Sequence, residues 1–433
     1  MKKKFGIKVV IGVVLIVLLG VILYNQFIQP FSFENVEYLG HTVEFNNEQE
    51  QYLEDFNFAM DTLEQYYPFF EVNKIKNNLD FLRNKENYRS RIKEVKSDKE
   101  FGKVLNDIVK ELDNYHTHLI LDDEMAMSMF YTYGVFSNSF DWRSEILERY
   151  QLPKVQKRYN ITKERVEEFL DFVENQSKNI QNSKDNVRVR DIVKDKIAYI
   201  GIKEMTSENI RANEEKIIKD YLQKVKDYEV MIIDIRGNGG GDSTYWHDFL
   251  LPNIIDRTYS QKTYNFIKDG ELLMDYRRYS RFKSFDIETL ESFNFQKITE
   301  NIAKDFDYMS SYTRKINPRA DSINYEGKVY LLVDNGVYSS SEMFASFVKE
   351  SGFATLVGTT TLGDGIGNDP MQVVLDNTGF IMRFSKSLGV TEKGSINELE
   401  KTTPHIEVYG DDLRLPLVRQ NSIREILKLE DIN

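Results

Sequence analysis

Val329-Tyr330-Leu331-Leu332-Val333-Asp334-Asn335-Gly336-Val337-Tyr338-Ser339-Ser340-Ser341-Glu342-Met343-Phe344-Ala345-Ser346-Phe347-Val348-Lys349-Glu350 decides how this chain is read. A short apolar strand, Val329 to Val333, runs into a turn at Asn335-Gly336. Three serines follow, and a helix opens with Met343, Phe344, Phe347 and Val348 on its apolar side. Hydrolases place a nucleophilic hydroxyl on such a tight strand-to-helix turn. There the side chain stands clear and the first helical N–H groups can stabilise a developing oxyanion. The same residues admit a plainer use. Ser339-x-x-Glu342 has the spacing of a capping box, in which the hydroxyl and the carboxylate satisfy free N–H groups at a helix start.

A second stretch upstream bears on the choice: Val230-Met231-Ile232-Ile233-Asp234-Ile235-Arg236-Gly237-Asn238-Gly239-Gly240-Gly241-Asp242. A buried strand ends in an arginine and a glycine cluster, whose backbone a substrate can approach closely. The cluster lacks the Gly-Lys-Ser/Thr ending of a P-loop and the spacing of a dinucleotide fingerprint, so phosphate binding is disfavoured.

Taken together and in this order, Arg-Gly-Asn-Gly-Gly-Gly after one strand and Tyr-Ser-Ser-Ser-Glu after a later one resemble the C-terminal-processing (tail-specific) serine peptidases and their tricorn-like relatives. The resemblance spans about residues 196–410, with a weaker echo around 110–120. It implies Ser339 as the nucleophile. It also implies an oxyanion hole made by the Ser340 amide and an amide of the glycine turn, from Gly239 or Gly240. The best-known members pair the serine with a lysine flanked by glycines about two dozen residues further on. Here that stretch is Thr361-Leu362-Gly363-Asp364-Gly365-Ile366-Gly367, with Asp364 in the lysine's place. An aspartate ionised near pH 4 is a poor base for a hydroxyl.

The tricorn-like branch uses a histidine held by a glutamate. The five histidines are His41, His116, His118, His247 and His405. His116, at the end of a helical segment in Leu112-Asp113-Asn114-Tyr115-His116-Thr117-His118-Leu119, lies where that branch has its histidine. The branch's glutamate precedes a proline by six residues, as Glu398 precedes Pro404. A Ser339–His116–Glu398 triad is therefore expected, with Glu400 and Asp364 as alternatives for the acid. Each residue has a bland reading beside this one: His116 as a helix cap, Glu398 as a solvated loop carboxylate, Asp364 as a turn residue. His116 and His118 could instead be two metal ligands on one strand, without the partners a metalloprotease needs.

Lys2, Lys3, Lys4 and Lys8 precede an apolar run from Val9 to Tyr24. From Phe5 to Tyr24 the segment is about 20 residues, enough to cross about 30 Å of hydrocarbon. No small-x-small cleavage site follows, and the basic flank faces inward. Residues 1–24 are expected to form an uncleaved signal anchor, with the rest outside the cell membrane. The sequence holds no cysteine, which excludes disulfides and thiolate chemistry. Net charge is −12, from 57 basic and 69 acidic side chains, and no basic stripe follows the N-terminus, which argues against a nucleic-acid partner.

The expected organisation is a stalk at 25–45, a helical domain at 46–118, a mostly helical insertion at 119–195 and a peptidase core at 196–433. That core carries its own insertion at about 257–318. Aromatic stripes such as Tyr52, Phe56, Met60 and Leu63 read as packing faces. From Lys196 onward strands and helices alternate, giving an α/β class. The resemblance refines this to a crotonase/Clp-like spiral of ββα units without a PDZ module. The functional expectation is a membrane-anchored, extracytoplasmic serine endopeptidase that acts on protein or peptide substrates through an acyl-enzyme, without a cofactor. Its rivals are a catalytically idle relative that binds peptides or apolar ligands in the same cleft, and a metal-dependent hydrolase using His116 and His118.

Overall fold

Ile197–Ile202, Val230–Asp234 and Lys328–Val333 carry almost no polar position on either face, the pattern of strands covered on both sides. In the computed structural model they pair in parallel, Ile197 opposite Val230 and Val230 opposite Lys328. The model describes residues 31–39, 48–136, 142–178, 180–290, 293, 295 and 297–432. Thr355–Gly358 and Ile406–Glu407 extend the parallel run on one side. Val187–Val193 closes the other side antiparallel, completing a six-stranded sheet. The Ala212–Val225 and Ser340–Ser351 helices lie on one face, where Ile218, Leu222, Phe344 and Phe347 share a core with Ile200, Ile233 and Leu331. Ile423 and Ile426 of the Asn421–Leu429 helix cover the other face, against Ile197, Ile232 and Leu332.

Before this sheet the chain is helical. The stripes on Gln49–Tyr66 and Asp98–Val109 are buried as packing faces, with Phe56, Met60, Leu63, Phe101, Leu105 and Ile108 all at 0 % exposure. The helical region is joined to the core by a small sheet, in which His118–Ile120 pairs antiparallel with Ile381–Phe384 and the latter with Met371–Val374. His118 stands opposite Arg383, so a residue near position 116 is fixed relative to one more than 240 positions later. The segment inserted before the serine turn forms a long hairpin, Tyr259–Ile267 with Tyr308–Ile316, flanked by Leu388–Thr391 and Lys283–Ser284. The result is a mixed α/β fold with a helical N-terminal region.

Two expectations about organisation change. Val187–Val193, assigned to the helical insertion, is the edge strand of the central sheet, so the core starts about ten residues earlier. Within the expected stalk, residues 31–39 pack on the helical region: Phe33 sits 5.2 Å from Phe130 by ring centres, and Val36 is buried. The expected anchor, residues 1–24, lies outside the described residues. Among the described residues no helix is long and apolar enough to cross a membrane.

Candidate active site

The turn between Lys328–Val333 and Ser340–Ser351 lies at the carboxyl end of a parallel strand, where α/β sheets bind their ligands. Ser339 has φ 55° and ψ −122°, the geometry of the first central residue of a type II′ turn, which ordinarily needs glycine. Holding a serine there costs about 1–3 kcal/mol, and the surroundings must impose it. The capping-box reading does not survive, because the Ser339 side chain makes no cap hydrogen bond. Glu342 turns away and accepts from Asn397 Nδ2 at 2.7 Å and Thr402 Oγ1 at 2.6 Å. Burial pushes the Glu342 carboxyl up to about 7.

Freed from capping, the Ser339 hydroxyl points at a histidine. His116 Nε2 lies 3.1 Å from Ser339 Oγ, and His116 Nδ1 lies 2.9 Å from Asp364 Oδ2. With Nδ1–H donating to the carboxylate, Nε2 is left as an acceptor for the serine proton. Burial lowers the imidazole from its ordinary value against the opposing pull of Asp364. A histidine neutral at pH 7 and bonded to a hydroxyl can act as its base.

The acid on the imidazole is Asp364 and not Glu398, which corrects the expected triad. Asp364 adopts φ 48° in a loop tied to the serine turn, where Leu362 N–H donates to the Val337 carbonyl at 2.9 Å. Gly365 lets that loop press on the nucleophile's helix, since a Cβ there would fall 2.6 Å from the Ser339 carbonyl oxygen and 2.5 Å from the Met343 nitrogen. Besides His116, the Asp364 carboxylate accepts from Asn114 Nδ2 and Ser385 Oγ, each at 2.8 Å. Burial alone would raise its pKa, but the imidazole and these donors hold it below the usual carboxylate range.

Glu398 is engaged elsewhere, 3.1 Å from Lys76 Nζ and 3.4 Å from Asn114 Nδ2, so that Asn114 separates it from Asp364. Burial, and then the Asp364 charge, push Glu398 up to about 8. At neutral pH it is a poor anionic partner for an imidazolium. Two nearby carboxyls are thus driven to opposite protonation states. Glu400 pairs with Lys297 at 3.3 Å, and His118 Nδ1 lies 3.0 Å from the Tyr115 carbonyl. Among the described residues no lysine takes the base position near Ser339: Lys386 donates to the Asp369 carbonyl with its ammonium 4.0 Å from the Trp142 ring centre. Among the described residues no group of three His, Cys, Asp or Glu side chains could hold a metal ion.

The glycine turn meets the serine turn as its sequence suggests, with one change. The Gly240 amide donates to Asn238 Oδ1 at 2.9 Å and is already committed. Gly240 is there for fit, since a Cβ would sit 2.9 Å from that of Ser339. Gly239 is exposed, with nothing within 4 Å of where its Cβ would be, which leaves open space over its backbone for a substrate carbonyl. Of the two glycine amides expected at the oxyanion, that of Gly240 is thus spent on Asn238. Asn238, which no sequence argument singled out, stitches the two turns together. Fully buried, it also accepts from Ser341 Oγ at 2.7 Å and donates to the Ile202 carbonyl at 3.1 Å.

A polarised hydroxyl, an oriented neutral imidazole and N–H groups over open space are the parts of acyl transfer. Residues 196–408 match the sequence profile of peptidase family S41. The crystal structure of a candidate peptidase from Parabacteroides merdae superposes with TM-score 0.55 at 16 % identity, covering 89 % of this chain and 97 % of that one. Mature CPAF superposes with TM-score 0.52 at 14 % identity, covering 83 % and 92 %. At these identities the likeness is one of fold. No curated protein matches the sequence. Over residues 196–408 profile, fold and motifs agree on a domain of peptidase family S41, that of the C-terminal-processing serine peptidases, and the chain is a serine-type peptidase.

Proposed function

We propose that the chain is an extracytoplasmic endopeptidase, anchored by residues 1–24, in which Ser339, His116 and Asp364 hydrolyse peptide bonds through an acyl-enzyme. The continuous relay from Ser339 Oγ through His116 to Asp364 carries this reading. Ser339 Oγ attacks the scissile carbonyl carbon while His116 Nε2 takes its proton. The resulting oxyanion is held by the Gly239 and Ser340 amides. The imidazolium then gives its proton to the leaving amine, and the acyl ester forms as the C–N bond breaks. Water, deprotonated by the same imidazole, releases the acid and restores the serine. Asp364 stays ionised and keeps the imidazole in the required tautomer. The expected crotonase/Clp-like spiral of ββα units is part of this reading, supported by the parallel central strands and the helices on both faces.

Hydrolysis of an unfolded protein by the purified chain, blocked by a fluorophosphonate, tests the activity. Its pH dependence tests the base. His116 works only when neutral, and burial lowers its pKa, so it stays neutral to a lower pH than a free histidine. The acid limb of kcat/KM should therefore have its midpoint below about 6.5. A midpoint well above that value would mean a different base.

The placement rests on Lys2, Lys3, Lys4 and Lys8 before the apolar run and on the lack of a small-x-small site after it. Protease added to intact cells should degrade the catalytic region, and the purified protein should begin at its original N-terminus. A mature N-terminus between residues 20 and 45 would remove the anchor and leave the enzyme reading standing.

A further inference from the structure

The inserted hairpin turns a polar face inward. In Tyr259–Ile267, Gln261, Thr263 and Asn265 point to one side while Tyr264 and Phe266 pack into the core. The antiparallel register sets Arg314, Tyr312 and Ser310 directly across from Gln261, Thr263 and Asn265, on the same face. A strand's polar face normally meets water. Here Gln261, Thr263 and Asn265 are only 4, 9 and 4 % exposed. This face lines a cavity of about 460 Å³ whose opposite wall includes Met343, Ile366 and Asn368. Met343 is one helical turn beyond Ser339, and Ile366 is two residues beyond Asp364, so the cavity adjoins the relay. Gln261 Nε2 fixes the sheet to the nucleophile's helix through Ser346 Oγ at 2.8 Å.

The cavity wall is positively charged. Arg314 and Arg281 line it, and none of its lining residues is acidic, in a protein whose net charge is −12. The Arg314 guanidinium lies over Trp246 and Tyr312, 5.5 and 5.4 Å from their ring centres. Among the described residues it forms no ion pair, and burial pushes its pKa down. Asn265 Oδ1 is buried in the same wall without a partner among the described residues. Asp248 acts on the guanidinium only through space, and a partly buried cation without a direct ion pair and a buried amide with an unused end are costly unless a ligand completes them.

We propose that this cavity is a substrate subsite for an acidic side chain near the scissile bond, with Arg314 as its charge partner. This rests on the peptidase reading above. A guanidinium can grip a carboxylate with two parallel N–H donors, and Asn265 and Thr263 can supply further hydrogen bonds. Met343 and Ile366 offer an apolar wall for the methylenes that carry the carboxylate.

Fluorogenic peptides that differ only in glutamate or glutamine near the scissile bond test the subsite on the full chain. At one position glutamate should raise kcat/KM by about tenfold or more, the effect of one charge-assisted hydrogen-bond pair. Arg314→Met should abolish the preference, by lowering the rate on the glutamate peptide far more than on the glutamine peptide, while fluorophosphonate still labels Ser339. Arg314→Lys, which preserves charge where Arg314→Met fails to fold, should retain part of the preference. Amidating the peptide's C-terminus should change nothing, because the recognised carboxylate is a side chain's. Loss of binding on amidation would overturn the assignment, as would equal rates for the two peptides at every position. Were Ser339 unreactive in the intact protein, the peptidase reading would fail separately. Anisotropy of labelled glutamate peptides, tighter for the intact protein than for Arg314→Met, would then still support the subsite, and equal binding would refute it.

Discussion

Ser339→Ala protein should lose hydrolysis by on the order of 10⁶-fold in kcat, the scale seen when a triad nucleophile is removed. The expectation follows from the turn itself, because Ser339 is the hydroxyl within hydrogen-bond reach of His116. Its neighbours in the Ser339-Ser340-Ser341 run are placed differently: the Ser341 hydroxyl donates to Asn238, and the buried Ser340 hydroxyl has no partner among the described residues. Ser340→Ala keeps its backbone amide, so it should retain most activity. Steady-state hydrolysis of one peptide by both variants checks this, and an inactive Ser341→Ala beside an active Ser339→Ala would shift the nucleophile by two positions.

Asp364→Asn should lower kcat by about 10⁴, the cost of turning the imidazole into the wrong tautomer while its position is kept. Asparagine can present an N–H to His116 Nδ1, which then accepts, and the remaining proton sits on Nε2, facing the serine. Glu398→Gln should cost no more than about tenfold, equal to about 1.4 kcal/mol of lost orientation, because its effect passes through Asn114. Stopped assays on the two variants decide between the carboxyls. A Glu398→Gln loss as large as that expected for Asp364→Asn would restore the glutamate to the relay.

What was legible in the sequence follows the range of the interactions. The serine turn, the glycine turn and their strands are local patterns, and the parallel strands announce themselves through runs such as Val230 to Asp234 that are apolar on both faces. His116 could be picked from few candidates because the chain has five histidines. The acid could not be settled, since its choice depends on contacts 248 positions apart. Asp364 is visible in the sequence as a misfit in the lysine's place and as an alternative for the acid, and its position beside His116 suits the orienting acid. Val187–Val193 does carry the Val187-Arg188-Val189-Arg190 alternation of a half-buried edge strand, but only over four residues and directly after a long charged helical run. The polar row Gln261, Thr263 and Asn265 reads in sequence as an ordinary solvent face. Only the covering helix and the loop after Asp364 turn it into a cavity wall.

The most direct test of the relay is the rate at which a fluorophosphonate labels the protein, with the adduct located by peptide mass spectrometry, in intact, His116→Ala, Asp364→Asn and Glu398→Gln forms. The relay predicts an adduct on Ser339 alone, formed far more slowly in His116→Ala and Asp364→Asn and at a near-normal rate in Glu398→Gln. An adduct on another serine, or normal labelling of Ser339 in His116→Ala, would contradict it.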